Sequence, residues 1–329
     1  MGEKIERELK WAVLGTGIIA NEMAQALEKM GKKLYAVANR THSKAVEFAG
    51  KYGVQKIYDK IEDMFTDEET DIIYITTPHN THIKFMIEAL KNGKHVLCEK
   101  SITLNSEELE EAVKIAKEKN LILGEAMTIF NMPLYTKLSE IVNSGKLGDV
   151  RMIQVNFGSY KEYDMNNRFF NRNLAGGALL DIGVYAISIT RLFMTSKPDN
   201  VLSQVKYAPT GVDEQASIIM MNKEQQMSTI ALTLHSKQPK RVVIACEKAY
   251  IEITEYPRAD KAKIVYTETG EIEEITAGMT ANALQYELQN MEESVKTGIN
   301  KMKLEYTIDV MDIMTKLRKE WEMTYPEEE

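Results

Sequence analysis

Cysteine is scarce. Cys98 and Cys246 are the only two in 329 residues, too few for a disulfide framework and without the spacing of zinc ligands. Long apolar runs are missing as well. No stretch of about 18 apolar residues is present, so no membrane span is expected. Residues 1–10 are charged where a signal peptide would carry an apolar core. Nor is there an excess of positive charge: 41 basic against 49 acidic side chains leave a net charge of −8. That balance argues against a nucleic-acid partner, whose phosphates require clustered Lys and Arg. The expectation is a soluble, cytoplasmic protein with no metal, membrane or nucleic-acid partner. What is present is ordinary. Hydrophobic residues at 44% and charged residues at 27% exclude disordered, collagen-like and coiled-coil chains. At about 100–200 residues per domain, the length suggests two domains.

From residue 11 to about 125, short apolar runs alternate with helical spacing. The runs lie at 11–14, 34–38, 71–76, 95–98 and 121–123, and helical patterns occupy 18–30, 43–52, 81–91 and 106–118 between them. Gly31, Gly53 and Gly93 supply stop signals. Strands apolar on both faces, alternating with helices, predict a doubly wound α/β domain with a parallel sheet covered on both sides. After Pro133 the pattern changes. A helix at 134–143 leads into stretches at 151–157, 215–221, 227–235, 242–246 and 263–267 that alternate apolar with polar residues. Period two predicts half-exposed, antiparallel strands. Helical spacing returns at 281–296 and 305–321. The expected organisation is a Rossmann-like domain over residues 1–126 and an α+β domain with a large open, mainly antiparallel sheet over 127–329.

Between the first strand and first helix the chain reads Gly15-Thr16-Gly17-Ile18-Ile19-Ala20, a GxGxxA turn. Gly15 permits the tight turn, Gly17 admits a pyrophosphate to the backbone, and Ala20 lets the helix pack closely. The helix N-terminus adds free N–H donors and partial positive charge. Cofactor choice is written after the second strand, where an acidic residue would bind the ribose hydroxyls of NAD. Asn39 and Arg40 stand there instead. A guanidinium can pair with a 2′-phosphate and stack on adenine, so NADP is expected, with NAD possible as the alternative.

With these residues in view, the chain resembles the Gfo/Idh/MocA oxidoreductases, most closely the dimeric dihydrodiol and xylose dehydrogenase and glucose–fructose oxidoreductase branch. The resemblance rests on Gly15 to Ala20, on Thr77-Pro78-His79-Asn80-Thr81-His82, on Gly93 to Lys100, and on Gly176-Gly177-Ala178-Leu179-Leu180-Asp181-Ile182-Gly183-Val184-Tyr185. It implies that Lys100 of Glu99-Lys100 lies beside the nicotinamide and the reacting oxygen. Asp181 and Tyr185 would bring second-domain side chains over the cofactor. Thr77, Pro78 and Asn80 would line the dinucleotide cleft, with cofactor contact from His82 and Glu99. Arg168, in a loop that relatives fold toward the active site, is a candidate for the substrate side. The resemblance also implies a homodimer or homotetramer formed through the C-terminal sheet. Two departures stand out. Ser101 replaces the family proline of Glu-Lys-Pro, so the backbone presenting Lys100 is expected to differ. Residues 125–130 read Glu-Ala-Met-Thr-Ile-Phe, where close relatives carry Glu-Ala-Met-Trp-Thr-Arg.

The implied chemistry is reversible hydride transfer between NAD(P) and a hydroxyl or carbonyl carbon of a sugar, polyol or diol. The nicotinamide takes the hydride, and the protein positions the alcohol and accepts its proton. Tyr and Lys ordinarily titrate near 10 and about 10.4. Side by side near an oxidised nicotinamide both should titrate lower, which suits acid–base work near neutral pH. Tyr185 is the expected proton carrier, Lys100 the group holding the substrate oxygen, and Asp181 the residue orienting them. Two other readings stay open at this level. One is a non-catalytic dinucleotide-binding sensor of the same fold, against which the retention of Lys100 and Tyr185 counts. The other is a bilin reductase-like enzyme, which would need a flat apolar bay.

Overall fold

The computed structural model describes residues 7–329. In chain order the elements begin with β1 (Trp11–Leu14), α1 (Ile18–Lys29), β2 (Ala36–Ala38), α2 (His42–Tyr52), β3 (Lys56–Ile57) and α3 (Ile61–Thr66). They continue with β4 (Ile72–Ile75), α4 (His82–Lys91), β5 (His95–Glu99), α5 (Ser106–Glu118), β6 (Leu123–Ala126), α6 (Thr128–Asn131) and α7 (Pro133–Asn143). Then come β7 (Val150–Gly158), α8 (Val184–Phe193), β8 (Asn200–Tyr207), β9 (Asp213–Met221), β10 (Met227–Thr233) and β11 (Gln238–Cys246). The chain closes with β12 (Ala249–Thr254), β13 (Lys261–Tyr266), β14 (Ile272–Thr276), α9 (Ala283–Thr297) and α10 (Leu304–Glu320). Two compact units result. One holds the residues through Met127 together with Leu284–Leu304, and the other holds Thr128–Ala283 and Glu305–Glu329.

In the first unit six parallel strands run in the order β3-β2-β1-β4-β5-β6. The four residues of β1 and the four of β4 are all buried, as expected for strands covered on both faces. β3 has two residues and α3 six, lengths too short for periodicity to register. α9 packs here, although it follows the strands of the second unit in the chain. Leu284, Leu288, Met291 and Val295 form one apolar stripe and join the core built around Trp11 and Val13. Trp11 Nε1 donates to Glu292 Oε1 of the same helix at 3.0 Å.

The second unit is an eight-stranded sheet in the order β14-β13-β12-β11-β7-β10-β9-β8. It is mainly antiparallel, with one parallel pair, β7 and β10. Val155, Phe157, Ile230, Leu232, Val242 and Ile244 bury one face. The other face is open and partly apolar: Leu202 is 63% exposed and Ile219 44%. Met152 lies beside Met227 and Met227 beside Met221 on that face. Residues 172–193 reach a mean hydropathy of 1.3 in their most apolar window, 83% of which is buried within the protein. This is the profile of a core helix.

Candidate active site

In the first unit the dinucleotide turn leaves β1 at Leu14. Gly15 takes φ +109°, and its N–H donates to Ala38 O at 2.9 Å, tying the turn to β2. A Cβ at Gly15 would come within 2.5 Å of Thr76 Oγ1, so only glycine fits. At Gly17 a Cβ would meet nothing within 4 Å. No side chain caps α1, and Ile18 at its first position is 84% exposed. Uncapped N–H groups facing open space suit a pyrophosphate, so the residues present fit a dinucleotide. Ile19 is half-buried and Ala20 fully buried, which lets the helix lie close to the sheet. Asn21, unmarked in sequence, donates from Nδ2 to Gly17 O at 2.8 Å and to Thr16 O at 3.3 Å and so holds the turn. Asn39 donates to Thr41 O at 3.0 Å. Arg40 is exposed and makes no hydrogen bond or ion pair with the described residues.

The end of β5 is strapped to the loop after β4. Lys100 O lies 3.1 Å from His79 Nε2, and Ser101 O lies 3.0 Å from His82 Nδ1. His82 Nε2 is 2.7 Å from Thr77 O. Burial pulls the His82 pKa below the ordinary histidine value, so one ring N–H donates to one of these carbonyls. His82 is fully buried, and any influence on a cofactor runs through the backbone it holds. The Thr81 hydroxyl donates to Pro78 O at 2.7 Å and lies 2.8 Å from Thr77 Oγ1, closing the loop that carries Asn80. Glu99 accepts the hydroxyl of Tyr74, and Glu125 accepts the Ile102 N–H at 3.1 Å. Tyr74 escaped notice in sequence because it sits inside an apolar strand. The Lys100–Ser101 peptide is cis.

In the second unit Asp181 lies in a π-helical turn, Leu179–Gly183, that runs directly into α8. Such turns recur at functional sites. The position is inside a helical segment, so Asp181 does not cap a helix. Arg168 Nη2 approaches Asp181 Oδ1 at 3.3 Å, and its guanidinium stacks 4.0 Å from the Phe169 ring. Asp181 is buried while the Arg168 side chain is 56% exposed. Tyr185 follows Asp181 by four residues, is half-buried, and has its ring 6.1 Å from that of Phe157 on β7. Arg168, Asp181 and Tyr185 are thus gathered around one turn, the first coming from the loop 13 residues before Asp181.

Known proteins share this architecture. Residues 9–127 match the family described as "Oxidoreductase family, NAD-binding Rossmann fold", and residues 135–252 match the "GFO/IDH/MocA C-terminal domain". The trans-1,2-dihydrobenzene-1,2-diol dehydrogenase of Xenopus laevis is 32% identical over 260 residues, 78% of each chain. Its Mus musculus counterpart is 27% identical and covers 97% of this chain and 99% of its own. Among solved structures, a 3-ketoreductase from Actinomadura kijaniata in complex with NADP and TDP-benzene superposes with a TM-score of 0.85 at 18% identity, covering 95% and 98% of the two chains. A levoglucosan dehydrogenase in complex with NADH and levoglucosan gives 0.83 at 16% identity, with coverage of 95% and 98%. On the strength of both matched domains and the 32% relative, the chain belongs to the Gfo/Idh/MocA family of NAD(P)-binding oxidoreductases.

Proposed function

We propose that this oxidoreductase uses NADP to interconvert a hydroxyl and a carbonyl on a sugar, polyol or vicinal diol. The observation that carries the reading is the set of polar groups around one turn: Arg168 and Asp181, 3.3 Å apart, with Tyr185 four residues after Asp181. A donor, a carboxylate and a phenol suit several hydroxyls on one small substrate and do not make an apolar bay. NADP, when bound, supplies the hydride acceptor or donor. The Gly15, Thr16, Gly17, Ile18 and Ile19 turn holds its pyrophosphate, and Asn39 with Arg40 selects its phosphorylated ribose. Thr77, Pro78 and Asn80 line the cleft, with His82 and Glu99 fixing its walls. Lys100 stabilises the negative charge that develops on the substrate oxygen. In oxidation Tyr185, as its phenolate, would take the proton of the alcohol O–H, and in reduction its phenol would return that proton to the substrate oxygen. Asp181 orients Tyr185 or a second hydroxyl, and Arg168 contacts the substrate. The diol and levoglucosan named for relatives support this class.

The reading includes self-association through the open face of the eight-stranded sheet, supported by the exposure of Leu202, Ile219, Met227 and Tyr250. It also includes a reducing, cytoplasmic setting, supported by the two free thiols. The test is NADP-dependent turnover across aldoses, inositols and vicinal diols, with ketoses and NADPH in the reverse direction. At least one polyhydroxy compound should turn over. Tight NADP binding with no turnover on any of them would instead favour a sensor.

A further inference from the structure

The turn that presents Asp181 and Tyr185 is gripped from behind by two side chains outside the motif. Asp213, the first residue of β9, has no exposed surface, and its Oδ2 accepts the Leu179 N–H at 2.6 Å. Leu179 opens the π-helical turn. Asp213 Oδ1 is also buried and has no hydrogen-bond partner, a costly arrangement that burial of an ordinary cap does not require. The carboxylate stands where a side chain would otherwise be. Gly177 takes φ +125°, and a Cβ there would come within 2.1 Å of Asp213 Oδ1.

On the neighbouring residue the fully buried Tyr325 donates its hydroxyl to Gly176 O at 2.6 Å. The two glycines also hold the loop bearing Arg168: Gly177 N–H donates to Phe169 O at 2.9 Å and Gly176 N–H to Asn171 O at 3.0 Å. Tyr325 is itself immobilised. The Arg318 guanidinium lies 4.7 Å from its ring and grips Glu328 through both Nη atoms, at 2.7 and 2.6 Å. Glu328 Oε2 accepts the Tyr325 N–H at 2.9 Å, and Arg172 ties down Thr324 and Glu329. The last five residues are therefore built into the back of the turn.

We propose that Asp213 and the C-terminal segment anchored by Tyr325 are positioning residues, which set Arg168, Asp181 and Tyr185 through Leu179 and the Gly176–Gly177 pair. The inference rests on the reading of Asp181 and Tyr185 as substrate-facing groups. Neither Asp213 nor Tyr325 touches substrate. Their effect is to fix the angle at which the turn offers its side chains, where a shift of about 1 Å can cost a hundredfold in rate.

The test compares Asp213→Ala, Asp213→Asn, Tyr325→Phe and Tyr185→Phe in the full chain, measuring kcat, KM, NADP affinity and melting temperature. Asp213→Ala should lower kcat by about a hundredfold with NADP affinity unchanged. Asp213→Asn keeps an oxygen acceptor for Leu179 and should recover part of that loss. Tyr325→Phe, which removes a single hydrogen bond, should lower kcat about two- to tenfold. Should Asp213→Ala fail to fold, Asp213→Asn and Tyr325→Phe decide the matter. Wild-type kcat in Tyr325→Phe and in the soluble Asp213 variants, beside an inactive Tyr185→Phe, overturns the positioning role. Wild-type kcat in Tyr185→Phe itself overturns the site reading instead.

Discussion

Strands β1 and β4 of the first unit are buried along their whole length, whereas β7, β9 and β10 of the second alternate buried with exposed or half-buried residues. A parallel sheet covered on both faces has no free surface of its own, so its polar groups gather in the loops at the strand ends. Gly15 to Ile19, Thr77 to His82 and Glu99 to Ser101 are such loops. In the second unit the long loop and the π-helical turn carry the polar groups, and a whole sheet face is left over. The difference separates tasks. On the proposed reading, cofactor recognition belongs to backbone at strand ends, and substrate chemistry to side chains on a helix braced from behind.

The largest expected effect divides these tasks most sharply. Tyr185→Phe should cut kcat about 10²–10⁴-fold, the range for loss of a general acid or base, while NADP affinity stays within about twofold. A parallel loss of NADP affinity, measured by titration calorimetry, would mean the tasks are not separable. Next, Arg40→Glu should move the preference from NADP toward NAD by roughly 10–100-fold, as expected for losing a charged hydrogen bond and adding repulsion. Unchanged ratios of kcat/KM for the two cofactors would assign the choice elsewhere.

A smaller effect concerns pH, where the two units should respond in opposite senses. Burial brings His95 down to about 4, and its Nδ1 accepts the Ile122 N–H at 2.9 Å. The unfolded chain therefore binds the extra proton first, and the first unit loses stability as pH falls from about 6.5 toward 4. Asp67 acts in the same sense lower down. Against the cost of its burial, hydrogen bonds from Tyr58, Lys56, the Glu69 backbone and Tyr35 hold its pKa at about 2. Its contribution is lost as pH falls from about 4 toward 2. Asp213 has the reverse sign. Burial raises it to about 7, so the folded state holds the proton longer and the second unit loses stability as pH rises from about 4 to 7. Trp11 lies in the first unit and Trp321 in the second. Fluorescence melts of Trp321→Phe and Trp11→Phe each report one unit, and identical pH slopes from both probes would count against the contrast.

The smallest effect tests the leftover face. Ile219→Lys should shift sedimentation toward monomer with little change in melting temperature, since the residue is 44% exposed. Unchanged sedimentation would remove Ile219 from any self-association surface.

Much of the first unit was legible because its signals are local. Runs at 11–14, 71–76 and 95–98 became β1, β4 and β5 within about two residues at each end. The run expected at 121–123 lies instead at Leu123–Ala126, because Glu125 looks polar in sequence yet is buried by accepting the Ile102 N–H. β8, β12 and β14 went unread, since Asn200 to Tyr207 and Ile272 to Thr276 carry polar residues on faces that the open sheet leaves exposed. Tyr74, Asn21, Asp213 and Tyr325 belong to no motif. Each matters only through a partner that folding brings near.

By itself the sequence determined the glycine turn, the absence of an acidic residue after β2, the two kinds of strand pattern and the motifs that carry the family resemblance. All of these are properties of adjacent or regularly spaced residues. Tertiary structure alone decided that α9 serves the first unit, that β7 and β10 run parallel, that Arg168 meets Asp181, and that Tyr325 reaches Gly176. The last contact spans 149 residues and the Asp213–Leu179 contact 34. Hydrogen bonds between buried groups at such separations leave no period in the chain. They are selected only when the packed interior gives a polar atom one partner and no water.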